Sequence, residues 1–303
     1  MSKTNKLNIV TKKLTSQKGA KGTARPVSPA RKQGTKARKA APKKRTVRRK
    51  KNRKFKVSPW LGAALVVALA AAVTLPWLFR SGNRTVGAKV PSGYHHYCLD
   101  ISHYNDRIIW DSLLVVIDTK GRTSKDIRNA REIRPLSCIV LKATEGNTLK
   151  DERFQEYWEA ARQTGIRRGA YHFFRTSADP LEQARNFSST VQLRHSDLPP
   201  VLDIETLHRG CSRKELNQKA LQWLQSIEAH YGRPPIIYTS DSFARDYLGP
   251  ELTGRYPLWI ARYHHDPPRT ENWSIWQFSD KAVVHGVHGY ADLSVIHPIN
   301  TIP

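Results

Sequence analysis

The 303-residue chain carries 51 Lys and Arg against 25 Asp and Glu, a net charge of +26. The excess is local: residues 1–57 hold 22 of the basic residues and no acid, whereas residues 58–303 hold 29 against 25. The basic pI therefore describes a tail, the part behind it is nearly balanced, and the length leaves room for one large domain or two small ones.

Residues 1–57 have almost nothing apolar to bury, so ordering their backbone would go uncompensated and a disordered basic tail is expected. A run such as Lys43-Lys44-Arg45 could neutralise nucleic-acid phosphates. It equally suits a solvated topogenic tail facing an anionic inner leaflet. The apolar stretch directly behind the tail favours the topogenic reading, with no specific nucleic acid expected. Residues 58–79 are read as a transmembrane helix. Trp60–Phe79 is an uncharged stretch of 20 residues, enough at helical rise to cross the hydrocarbon layer, with Trp60 and Trp77 near its ends. The charged region before it is too long for an ordinary signal peptide. Lys50, Lys51, Arg53, Lys54 and Lys56 precede the span and only Arg80 and Arg84 follow closely. The expected topology is a single pass through the cell (inner) membrane, with a cytoplasmic N-terminus and a periplasmic or extracellular C-terminal part.

Residues 80–93 read as a polar, Gly/Pro-punctuated linker to a domain over residues 94–303. There, short apolar runs alternate with helical patterns. The strands expected are Tyr97–Ile101, Ser137–Lys142, Gly169–Phe174, Pro200–Glu205, Ile236–Thr239, Leu258–Arg262 and Ser274–Phe278. Between them, Glu152–Thr164 puts Phe154, Tyr157, Trp158 and Ala161 on one stripe, closed by Gly165 as a left-handed cap. Asp179 is an N-cap with Pro180 at the first helical position, and Ser212-x-x-Glu215 opens a helix ended by Gly232. Such alternation builds a parallel sheet, and about 210 residues suffice for a closed α/β barrel. No Gly-rich phosphate loop and no Cys/His spacing for zinc is visible, so neither cofactor nor metal is expected. Cys98, Cys138 and Cys211 allow one disulfide or three free thiols, and the count does not choose.

The segment with most chemistry is Leu198-Pro199-Pro200-Val201-Leu202-Asp203-Ile204-Glu205. A strand sends alternate side chains to opposite faces, so Asp203 and Glu205 point the same way, roughly 6–7 Å apart at their α carbons. Val201 shares that face, while Leu202 and Ile204 face the surrounding helices. Two carboxylates at the C-terminal end of a buried parallel strand sit where barrel enzymes hold catalytic groups. Their rival reading is a pair neutralised by Arg or Lys partners. Asp100 ends the first strand and Asp292 lies beside the last. Either alone could serve a turn, but four acids at strand ends of one barrel point to a site.

From about Tyr94 to Pro298 the chain resembles the family 25 glycoside hydrolases, the Chalaropsis-type lysozymes or N-acetylmuramidases. The likeness rests on an ordered series: Asp100-Ile101-Ser102-His103-Tyr104, Ile139 to Gly146, Gly169-Ala170-Tyr171-His172-Phe173, Pro200 to Glu205, Pro257 to Tyr263, and Trp276-Gln277-Phe278-Ser279. It implies a flattened TIM-like (β/α)5(β)3 barrel that cleaves the β-1,4 bond after N-acetylmuramic acid in peptidoglycan. By position it makes Glu205 the proton donor, Asp203 its charged neighbour, and Asp100 and Asp292 the flanking acids. Tyr171, Tyr238 and Trp276 are candidate sugar-stacking surfaces, each with a core-packing alternative, and Lys142 and Glu145 are expected to pair beside the pocket. His172 reads as a core histidine. Two departures stand out. Val115–Pro135 is longer and more charged than the family's usual link, which suggests a hairpin insertion. Ser294 replaces the usual Asn after Asp292, which should loosen the hydrogen bonding that holds Asp292. A monomer acting on peptidoglycan strands is expected. The alternatives are a catalytically weak peptidoglycan-binding module and a hydrolase of a related N-acetylated glycan such as chitin.

Overall fold

The computed structural model describes residues 87–299. The basic tail, the span Trp60–Phe79 and residues 80–86 of the linker lie outside the described residues. Among the described residues no helix is long and apolar enough to cross a membrane.

Strand β1 (Tyr97–Ile101) is followed by the short strands β2 (Leu114–Asp118) and β3 (Thr123–Ser124), then by the long β4 (Ala130–Glu145) and β5 (Leu149–Lys150). Helices then alternate with strands: α1 (Phe154–Gln163), β6 (Arg167–Phe173), α2 (Pro180–Thr190), β7 (Val201–Asp203), α3 (Arg213–Tyr231), β8 (Ile236–Ser240), α4 (Asp241–Tyr247), α5 (Pro250–Thr253) and β9 (Leu258–Ala261). The last two strands, β10 (Trp273–Ala282) and β11 (Ala291–Ile296), follow without a helix.

Eight strands close a barrel in the order β1-β11-β10-β9-β8-β7-β6-β4, with β4 returning to β1. Pairing is parallel from β1 through β4, β6, β7, β8 and β9 to β10, and antiparallel where β11 meets β10 and β1. The period of two sorts the strand residues into two packing sets. Cys98, Val140, Val201, Ile236, Trp259 and Ile275 fill the interior. Leu99, Ile139, Leu141, Leu202, Ile237 and Ile260 face outward onto Phe154, Trp158, Phe187 and Trp223 of the helices.

The helix signals hold locally. Asp179 accepts from the amides of Leu181 and Glu182, and Ser212 accepts from the amide of Glu215. Gly165 and Gly232 take φ of +72° and +69°, the left-handed caps expected. Where the resemblance implies five βα units, the first connection carries the 3₁₀ turns Trp110–Ser112 and Ile127–Asn129 and a hairpin in place of an α-helix. Strand β2 pairs antiparallel with the first residues of β4, Leu114 opposite Pro135 and Ile117 opposite Glu132. Val115 and Ile117 of this hairpin are buried in the outer core with Val284 and Val287, so the hairpin supplies there the apolar cover that helices supply elsewhere. Residues ahead of Tyr94 pair with the hairpin: Thr123 donates its amide to Ala88 O, and Val90 donates to Gly121 O.

Cys98 and Cys138 are register partners on β1 and β4 and form a disulfide inside the barrel, leaving Cys211 as the free thiol among the described cysteines.

Candidate active site

At the C-terminal ends of the parallel strands the interior opens into a cleft of about 290 Å³. Each strand contributes the next inward residue above the interior core: Asp100 above Cys98, Lys142 above Val140, Tyr171 and Phe173 on β6, and Asp203 above Val201. Tyr238, Trp259 and Asp292 continue the ring, and Ser102, Tyr104, Glu205 and Tyr263 form the rim.

The four acids converge. Asp100 and Asp292 are direct partners across β1 and β11, so their side chains leave the sheet on the same side. Asp203 is the last residue of β7, between Phe173 and Tyr238, and only 7% of it is exposed. Its Oδ1 is buried without a hydrogen-bond partner among the described residues. Strand β7 ends at Asp203, but the amide of Ile204 still donates to Tyr238 O, which keeps the chain extended and turns Glu205 to the same face.

Burial and mutual repulsion make this a proton-holding cluster. Burial pushes Asp203 well above the usual carboxylate range and Glu205 adds to the push, while Lys142 opposes it. Burial raises Glu205. Asp100 is lifted by burial and by Asp292, against hydrogen bonds from Gln277. Asp292 rises to about 6 through burial, Asp280 and Glu205.

Lys142 and Glu145 pair as expected, Nζ to Oε2 at 2.6 Å, and Arg175 bonds the other oxygen of Glu145. Burial raises Glu145, but the bonds and charges of these two cations outweigh it and hold the carboxylate ionised. Lys142 lines the cleft and Glu145 stands behind it, so Glu145 acts on the cleft through the lysine.

Tyr171 and Tyr238 line the cleft, but Trp276 does not. It is fully buried, donates its indole N–H to Arg262 O, and packs edge-on against Tyr94 and Phe278 on the outer side of β10. Its place in the cleft is taken by Trp259, on a strand buried on both faces. Ser294 does not hold Asp292: its hydroxyl accepts the Trp259 indole N–H at 3.0 Å and fixes that ring in the floor. Sequence reading also missed Gln277, which donates to both oxygens of Asp100 and accepts from the Tyr238 and Tyr263 hydroxyls. His172 is a core residue. Its ring lies between Thr144 Oγ1 and Gln183 Oε1, and burial drops it to about 4. His264, His265 and Asp266, whose ligand atoms lie within 4.8 Å of one another, are exposed, and none lines the cleft.

The family described as glycosyl hydrolases family 25 matches residues 99–287 of the chain. The uncharacterized protein YegX of Escherichia coli K12 is 34% identical over 217 residues, covering 71% of this chain and 74% of the relative. Lysozyme M1 of Streptomyces globisporus is 31% identical over 225 residues, covering 69% and 70%. Among solved structures, the bacterial lysozyme from Streptomyces coelicolor superposes with a TM-score of 0.57 at 27% identity, over 68% of this chain and 94% of that one. The family 25 glycosyl hydrolase from Bacillus anthracis gives 0.58 at 24% identity, over 70% and 93%, a likeness of fold.

Proposed function

The chain belongs to glycosyl hydrolase family 25, and on that premise we propose that its barrel is a muramidase cleaving the β-1,4 bond between N-acetylmuramic acid and N-acetylglucosamine in peptidoglycan. The observation that carries the reading is the Asp203–Glu205 pair on one face at the open end of β7, inside a cleft walled by tyrosines and Trp259.

Glycoside hydrolysis needs one acid to protonate the departing oxygen and a second group to take the positive charge that grows at the anomeric carbon. Glu205 is the donor, kept protonated by its burial. The 2-acetamido oxygen of the muramic acid attacks its own anomeric carbon as the bond to the leaving oxygen breaks, and that oxygen takes the Glu205 proton. Asp203 acts in its ionised form, which nearby Lys142 favours against burial and Glu205; it accepts a hydrogen bond from the acetamido N–H and balances the charge of the cyclic intermediate. Glu205, now ionised, removes a proton from the water that opens the intermediate. The anomeric configuration is retained, and the route is one of the exceptions to the two-carboxylate scheme. The buried, unpartnered Asp203 Oδ1 suits a group whose partner arrives with the substrate.

The test is mass spectrometry of products released from purified peptidoglycan by the full-length chain in mild detergent, with NMR of the first-formed anomer. Fragments ending in reducing N-acetylmuramic acid, first formed as the β anomer, are expected. Fragments ending in reducing N-acetylglucosamine, or binding without release, would refute the reading. Inversion, or brisk cleavage of de-N-acetylated strands, would refute the acetamido route alone. Release from chitin oligomers in place of peptidoglycan would move the substrate to that neighbouring glycan.

For location, the reading is a monomer held by one inner-membrane anchor at Trp60–Phe79, with residues 1–57 cytoplasmic and the barrel outside. The one-sided basic flank supports it, and the Cys98–Cys138 disulfide suits an oxidising compartment.

A further inference from the structure

Asp100 and Asp292 are register partners that both line the cleft, and the charge of Asp292 raises Asp100, so the pair takes up its first proton on one member. We propose that Gln277 is a positioning residue that keeps this proton on Asp292 and leaves Asp100 as the ionised, accepting member of the pair.

Donors and acceptors set the division. Gln277 is buried on β10, with its amide inside the barrel. Its Oε1 accepts the Tyr238 hydroxyl at 2.9 Å and the Tyr263 hydroxyl at 2.8 Å, which fills both lone pairs. Those two bonds fix the sense of the amide, so its NH₂ must face the other way. There Nε2 meets both oxygens of Asp100, at 3.1 and 3.0 Å. A carboxylate that accepts on both oxygens is favoured in its ionised form. Reversing the amide would set an acceptor against Asp100 and turn NH₂ toward two phenols. Asp292 receives no such donor among the described residues.

The surroundings oppose the amide at Asp100, where burial and neighbouring acids raise the carboxyl. Asp203 and Glu205 face Asp100 from β7 and repel its charge, as Asp292 does from β11. Asp280 on β10 adds its charge against Asp292. Lys142 on β4 is the cation in the cleft lining, and it is committed to Glu145. Tyr171 on β6 stands neutral, as do Tyr238 and Tyr263, because burial raises all three phenols. Against these charges the Gln277 amide is the group that favours the ionised form of Asp100, and Asp292 has no counterpart to it among the described residues. Its consequence, below about pH 6 where Asp292 holds its proton, is a cleft with an acceptor at Asp100 and a hydroxyl donor at Asp292, a complementary pair for one sugar hydroxyl.

The full-length chain in detergent, with carboxyl-labelled aspartate assigned through Asp100→Asn and Asp292→Asn, is titrated by carbon NMR from pH 8 to 4. Asp292 should take its proton first. In Gln277→Met, which keeps length and removes both N–H donors, the order should reverse. The acid limb of the kcat/KM profile should then move by about one pH unit, the scale of lost charge-assisted hydrogen bonds. A residue of merely structural importance would lower kcat equally at every pH. Tyr263→Phe supplies a second variant on the rim: it frees one lone pair of Oε1 and should shift the profile in the same direction by less. Asp100 protonating first in the unaltered chain, or an unchanged order in Gln277→Met, would overturn the proposal. The kinetic arm rests on the muramidase reading, so an inactive chain would count against that reading and leave the titration order to decide this one.

Discussion

Asp292→Asn should stabilise the fold while disabling the cleft, and the gain should depend on pH. The carboxyl of Asp292 rises from 3.8 to about 6 on folding, chiefly by burial and then by Asp280 and Glu205. An acid whose affinity for protons rises on folding costs stability once the pH exceeds its unfolded value. The cost grows from about pH 4 to 6 and is constant above. A rise of this size is worth about 3 kcal/mol. Discounted for the partial exposure of the side chain, about 1–3 kcal/mol remains. Asn keeps the shape and removes the charge, and the side chain has no hydrogen bond among the described residues to lose. Asp100, which Asp292 also repels, gains as well. For a domain of this size the gain is about 3–10 °C in Tm at pH 7. His172 works in the opposite sense: buried neutral at about 4, it costs stability as the pH falls below its ordinary 6.5. That cost is common to both proteins and cancels in their difference. Thermal unfolding of the two full-length chains in the same detergent, at pH 7 and pH 4, is the assay. Equal Tm values at pH 7, or the same increment at pH 4, would refute the electrostatic reasoning.

Glu205→Gln should lower turnover by about 10²–10⁴-fold with fold and substrate binding kept, since general acid catalysis contributes on that scale; near-normal turnover in a folded variant would show the donor misassigned. Asp203→Asn should lose activity with an altered pH profile, through loss of the charge that balances the intermediate, and kinetics from pH 4 to 8 would show whether the profile moves. Replacing Cys98 and Cys138 together by Ser opens a loop with a sequence separation of 40. The unfolded-chain entropy involved is worth about 4 kcal/mol, so a clear fall in Tm is expected, and an unchanged Tm would contradict it. A reporter active only outside the cytoplasm should work when fused after Ile302 and fail near Lys39, and the opposite pattern would remove the proposed topology.

Much of the site was legible because charge and alternation are both written in the sequence. Asp203 and Glu205 share a face whatever the barrel does, and Asp100 and Asp292 are acids at strand ends. What alternation alone withholds is which face is inward. Trp259, Ile260, Trp276 and Gln277 lie on strands buried on both sides, where the apolar run is nearly continuous and parity has no polar marker. Trp276 looks like a sugar platform in such a run, but the closed barrel puts Gln277 inside and Trp276 out. The disulfide was hidden for the same reason: three cysteines become one pair only when β1 and β4 are known to be parallel neighbours with Cys98 and Cys138 in register.

Gln277 marks a deeper limit. It carries no charge and no unusual shape, and its importance lies in four hydrogen bonds to groups 14, 39 and 177 residues away. A sequence shows where carboxylates are. Which of them holds a proton is decided by neutral partners from distant strands, and closing the barrel is what assembles those partners. Acids found by their charge therefore need the closed barrel before roles can be divided among them, and in this cleft the division between Asp100 and Asp292 turns on a single amide.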